Sequence, residues 1–111
     1  MISVVIPALN EAARMPGLVH ALRAEPVRLE VIVVDGGSAD GTTRAACAAG
    51  ATRVLSAPRG RGQALAVGAG AARGEALLFL HADSLFPPGG LAALERLLRE
   101  RPEVVGGNFR L

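Results

Sequence analysis

The chain has 111 residues, half of them apolar, with 12 basic and 10 acidic side chains and a formal net charge of +2. That length predicts one domain over residues 1–111, no apolar run approaches the roughly 18 residues that cross a bilayer, and the absence of a basic leader before Ile2 predicts a cytoplasmic protein. Every basic residue is a scattered Arg, and three Phe without Tyr or Trp offer little for bases to stack on, so the composition argues against nucleic acid as a partner.

Short apolar runs alternate with longer segments of helical period, the pattern of a mostly parallel sheet covered by helices: an α/β, Rossmann-like fold. The first run, Ile2 to Pro7, reads as a strand. Asn10 and Glu11 then open a helix carrying Leu18, Val19 and Leu22, with Pro16 tolerable near its start. Leu29 to Asp35 is a second strand. Ser38 and Asp40 are cap candidates for a helix that runs through Ala49 and stops at Gly50. The lone Cys47 in this alanine-rich stretch reads as a small buried hydrophobe without chemistry. Thr52 to Ser56 is a third strand, Gly62 to Arg73 a glycine-diluted helix, and Glu75 to Leu80 a fourth strand. Gly68, Gly70 and Gly74 allow close approach of helix and sheet. Pro87 to Arg101 forms a helix with Leu91, Leu94, Leu97 and Leu98 on one stripe, and Glu103 to Phe109 reads as extended.

In such sheets the loops at the carboxyl ends of the strands gather on one edge and form the ligand crevice. Three of these ends carry acid: Glu11 after the first strand, Asp35 at the end of the second and Asp83 after the fourth. A single Asp in a loop is ordinarily a cap or turn former; three at one edge point to a site. Carboxylates there could hold a divalent cation that bridges phosphates. The segment Arg59-Gly60-Arg61-Gly62-Gln63 supplies the complement, two guanidinium groups and backbone N–H donors ahead of a helix. Read alone, it is equally a solvated basic loop.

Four segments in this order, V-V-I-P-A-L-N-E (Val4 to Glu11), V-I-V-V-D-G-G-S-A-D-G-T (Val31 to Thr42), R-G-R-G-Q-A (Arg59 to Ala64) and A-R-G-E-A-L-L-F-L-H-A-D (Ala72 to Asp83), resemble family 2 glycosyltransferases. The match spans Ile2 to about Arg110 and is to the nucleotide-binding half of the GT-A fold, with V-D-G-G-S and H-A-D as in a small bacterial subgroup. The resemblance implies that Pro7, Asn10 and Glu11 border the nucleoside and that Asp35 is the first acid of a V-D-D-G-S motif whose second acid is here Gly36. It places Arg61 and Gln63 in the basic loop beside the donor. It implies that His81, Ala82 and Asp83 stand at the D-x-D motif, with Asp83 as the ligand of a Mn²⁺ or Mg²⁺ cofactor and His81 as a contact to ribose or phosphate, or a second metal ligand. The implied activity is inverting transfer of a sugar from a nucleoside-diphosphate sugar to an acceptor hydroxyl, with the general base beyond Leu111 and the acceptor half absent. A donor half lacking that base could equally be a non-catalytic nucleotide-binding module. A sugar nucleotidyltransferase or a dinucleotide-binding domain should carry a glycine-rich turn after the first strand, where this chain reads P-A-L-N-E. An open sheet edge further predicts a homo-oligomer.

Overall fold

A computed structural model describes residues 1–83 and 87–100. Strands β1 (Ile2–Ala8), β2 (Leu29–Asp35), β3 (Arg53–Ser56) and β4 (Ala76–Phe79) alternate with helices α1 (Met15–Arg23), α2 (Thr42–Ala49), α3 (Arg61–Ala71) and α4 (Gly90–Glu100). The strands form one parallel sheet in the order β3-β2-β1-β4. The expected extended segment Glu103 to Phe109 lies outside the described residues.

β-Branched residues dominate β1 and β2, and both strands are buried on both faces, as parallel strands under helices must be. Val4 pairs with Val31 and Val5 with Ile32. This register puts Ile2, Val4, Ile6, Val31 and Val33 on one face, packed against Met15, Leu18, Val19 and Leu22 of α1 and Ala46 and Ala49 of α2. Leu78, Leu80 and Leu91 extend the same cluster. Val5, Ile32 and Val34 face the other way onto Ala64 and Val67 of α3.

Several boundaries differ from the sequence reading for identifiable reasons. Asn10 and Glu11 open a turn and not a helix. Asn10 adopts φ 54°, a left-handed conformation incompatible with helix propagation, and α1 starts only at Met15 with Pro16 in its first turn. Gly41 is the residue preceding α2, so neither Ser38 nor Asp40 is its N-cap, although Asp40 Oδ1 accepts the Thr42 N–H at 3.1 Å. Gly50 does end α2 in the left-handed conformation, φ 103°. Cys47 is exposed, because α2 turns Ala46 and Ala49 inward and leaves Cys47 and Ala48 between them facing out.

Candidate functional site

The order β3-β2-β1-β4 makes the chain leave β1 for β2 on one side and return through β4 on the other. The carboxyl end of β1 is therefore the point where strand order reverses, the place where an open α/β sheet leaves a crevice. A cleft of about 350 Å³ occupies that point. Pro7, Ala8 and Leu9 from the end of β1 line it, with Glu11 and Gly36 from the next two turns. Arg59, Gly60, Arg61 and Ala64 line it at the start of α3, and His81, Ala82 and Asp83 follow β4.

Of the residues singled out from sequence, the cleft brings together Pro7, Glu11, Arg61, His81, Ala82 and Asp83; Asn10, Asp35 and Gln63 do not line it. Past β4 the exposure alternates, Leu80 and Ala82 buried and His81 and Asp83 exposed. Buried Leu80 and Ala82 flank His81, and Ala82 directly precedes Asp83, which holds both polar residues at the rim. The Arg61 guanidinium lies 3.0 Å from His81 Nδ1 and 3.1 Å from its Nε2, joining the start of α3 to the end of β4.

Asp35 has a different task. Its carboxylate accepts the N–H groups of Gly37 at 3.3 Å and Ser38 at 3.1 Å, together with the Ser38 hydroxyl. It thereby folds the turn after β2 over itself. Gly36 N–H continues the sheet ladder to Ala8 O at 3.0 Å, which lays the Gly36 backbone across the cleft floor. Asn10 also serves the loops: its N–H donates to Ser38 Oγ at 2.8 Å and its Oδ1 accepts the Ala39 N–H at 2.9 Å.

Arg59 lines the cleft together with Arg61, so both guanidinium groups read from the basic loop reach it. Gly60 supplies the turn between them with φ 132°, and α3 begins without a side-chain cap. The first free N–H groups of α3 thus stand beside two guanidinium groups, a combination suited to anionic oxygen. Glu11 and Asp83 give the cleft its acidic component, and Glu11 is also paired with Arg14 at 3.3 Å.

A hard cation needs oxygen donors. Asp83 offers one carboxylate, and among the described residues no group of three or more His, Cys, Asp or Glu side chains is placed to hold a metal ion. That donor set fits a cation held by one carboxylate plus the phosphate oxygens of a ligand and water, the usual arrangement for Mg²⁺.

The model of glycosyl transferase family 2 matches residues 3–111. The chain belongs to glycosyl transferase family 2. An undecaprenyl-phosphate 4-deoxy-4-formamido-L-arabinose transferase of Aeromonas hydrophila is 35% identical over 117 residues, covering 96% of this chain and 36% of that protein. The chain spans between about a third and a half of the length of such full-coverage curated relatives. Among solved structures, glucosyl-3-phosphoglycerate synthase from Mycobacterium tuberculosis, in complex with Mn²⁺, UDP and glucosyl-3-phosphoglycerate, superposes with a TM-score of 0.75 at 34% identity, over 88% of this chain and 39% of that one. TarS of S. aureus gives a TM-score of 0.82 at 24% identity, over 91% of this chain and 33% of that one, a likeness of fold alone. The parallel sheet flanked by helices is thus the Rossmann-like GT-A arrangement. No helix among the described residues is long and apolar enough to cross a membrane.

Proposed function

We propose that the cleft at the end of β1 binds the diphosphate and nucleoside of a nucleoside-diphosphate sugar. The observation that carries this reading is the meeting, at the strand-order reversal, of Asp83 and Glu11 with Arg59, Arg61 and the uncapped start of α3. A diphosphate presents oxygens to both guanidinium groups and to the N–H donors, while Asp83 would hold a Mn²⁺ or Mg²⁺ ion between protein and phosphate. Such an ion supplies charge neutralisation for the departing diphosphate. The Mn²⁺ and UDP in the mycobacterial synthase support the choice of ligand class.

In this reading Pro7, Ala8 and Leu9 offer backbone and apolar surface to the nucleoside, with Glu11 at its edge. Asn10 and Asp35 shape the loops from beneath, and Gln63 follows the basic turn outside the cleft lining. Gly36 puts no side chain into the floor, which leaves room where an acid would stand. Arg61 and His81 hold each other until a phosphate takes the guanidinium. The reaction is a single displacement with inversion: the acceptor oxygen bonds to the anomeric carbon, the bond from that carbon to the diphosphate oxygen breaks, and the acceptor proton passes to a carboxylate base. None of the described residues is assigned that last role.

The same reading includes self-association in the cytoplasm, because Leu77 and Phe79 are 46% and 44% exposed side by side on β4. Calorimetric titration of UDP and GDP, each with Mn²⁺ or Mg²⁺, into the protein and its Asp83→Ala variant tests the site. Metal-dependent binding that the variant loses is the expected result; binding that survives Asp83→Ala unchanged would remove Asp83 from the site.

A further inference from the structure

The turn that carries Glu11 into the cleft is closed locally by the Arg14 N–H on Glu11 O at 3.0 Å, and it is also tied to a second turn. Glu11 N–H donates to Thr42 Oγ1 at 2.9 Å, and Ala12 N–H donates to Asp40 Oδ2 at 3.1 Å. Asp40 Oδ1 in turn accepts the Thr42 N–H at 3.1 Å and the Thr42 hydroxyl. With the two bonds between Asn10 and the segment Ser38–Ala39, four hydrogen bonds join the turn after β1 to the turn after β2. Neither Asp40 nor Thr42 lines the cleft, and Thr42 is fully buried.

The two oxygens of Asp40 have separate tasks. Oδ1 serves the start of α2, bonding the Thr42 N–H two residues on in an Asx-type turn. Oδ2 faces away from that helix and takes the amide one residue past Glu11, while the hydroxyl oriented by Oδ1 takes the amide of Glu11 itself. A residue needed only to begin α2 has no use for this second set of bonds. We infer that Asp40, together with Thr42, is a positioning residue that sets the Glu11 carboxylate against the ligand in the cleft. The inference rests on the reading of that cleft as the donor site. The Arg14 guanidinium, 3.3 Å from the Glu11 carboxylate, restrains the outer end of the same side chain. Backbone and tip are thereby both fixed, as a group that must meet a ligand without reorganising requires.

Asp40→Asn separates the two tasks, because an amide oxygen kept toward Thr42 preserves the helix entry while the amide nitrogen cannot accept from Ala12. The experiment combines Asp40→Asn, Glu11→Ala, their double variant, Thr42→Val and Thr42→Ser. Thermal unfolding controls for folding, amide hydrogen exchange at Glu11 and Ala12 reads the turn, and calorimetry with UDP and Mn²⁺ reads the site. The expected result is faster exchange at Ala12 and roughly tenfold weaker binding in Asp40→Asn, a size typical of losing an outer partner of a site residue. No further loss follows when Asp40→Asn is added to Glu11→Ala. Thr42→Ser retains wild-type affinity and Thr42→Val does not. Equal losses from Asp40→Asn with and without the Glu11 carboxylate would overturn the inference and leave the donor site standing. Absence of UDP binding to the unsubstituted protein would instead remove the donor site, and the inference with it.

Discussion

Asp83 and Glu30 are both carboxylates near strand ends, and their surroundings send them to opposite uses. Asp83 is exposed and lines the cleft. Glu30 is 4% exposed at the other end of the sheet, where it accepts Ser3 Oγ and the Arg73 N–H at 2.6 Å each and Arg53 Nη2 at 3.2 Å. Burial pushes its pKa up, but the Ser3 hydroxyl, the Arg73 amide and the Arg53 guanidinium together outweigh burial and hold it below the ordinary 4.5. A carboxyl with a lowered folded-state pKa stabilises the fold fully above its unfolded value, and that stability is lost as pH falls through the folded one. Urea midpoints measured downward from about pH 5 should therefore drop more steeply for the wild type than for Glu30→Gln. At neutral pH Glu30→Gln should cost about 2 kcal/mol, the scale of losing charge-assisted hydrogen bonds to a buried carboxylate. Sequence reading found Asp35 at the end of L-E-V-I-V-V-D and passed over Glu30 at its start. Nothing in that run shows that Ser3 and Glu30 stand opposite one another in register or that Arg53 opens the neighbouring strand. At the cleft, Arg61→Ala should weaken UDP binding by about tenfold, the scale of one charge-assisted hydrogen bond, and reduce the salt dependence seen in calorimetry.

At the scale of elements, α3 shows which part of a glycine-rich helix is structural. A Cβ at Gly68 would lie 2.2 Å from Val5 Cγ1 and 3.3 Å from Val34 Cγ2, whereas one at Gly70 would meet nothing within 4 Å. Gly68→Ala should lower stability by about 2 kcal/mol through overpacking. Gly70→Ala should raise it by about 0.5 kcal/mol, since alanine restricts the unfolded chain and favours the helix. Parallel thermal or urea unfolding of the two variants checks both signs. Of the three glycines expected to permit close approach, Gly68 and Gly74 do so, the latter against Met1 O and the Ser3 backbone and side chain. Gly70 does not, because composition cannot tell which side of a helix faces the sheet when its apolar residues are spread all round. The α4 entry was equally hidden: Glu25, 64 residues away in sequence, accepts the Gly89 N–H at 2.9 Å and the Leu91 N–H at 2.7 Å. Local capping patterns cannot reveal a cap supplied from another element. The strands were legible because β-branched runs bounded by turn residues have few other readings, and Gly50 was legible because a left-handed stop favours glycine.

Over the whole molecule, the alternation of strands and helices carried the fold class, and placing acids after three strands carried the position of the cleft. The sequence could not show that β1 lies between β2 and β4, and this placement is what brings Glu11, Arg61 and Asp83 together. It also could not separate Asp35, which folds its own turn, from the acids that face the cleft. The exposed pair Leu77 and Phe79 predicts self-association in sedimentation, with Phe79→Asp shifting the distribution toward monomer; a concentration-independent monomer in both would remove that surface as an interface.

The most direct measurement of the donor site is the broadening of backbone amide resonances by paramagnetic Mn²⁺ in the presence of UDP. Broadening centred on Asp83 and His81, reaching Gly36 and Arg61 and sparing Glu30 and Gly74 at the far end of the sheet, is the result expected. Broadening that is absent, or that is strongest away from the end of β1, would contradict the account.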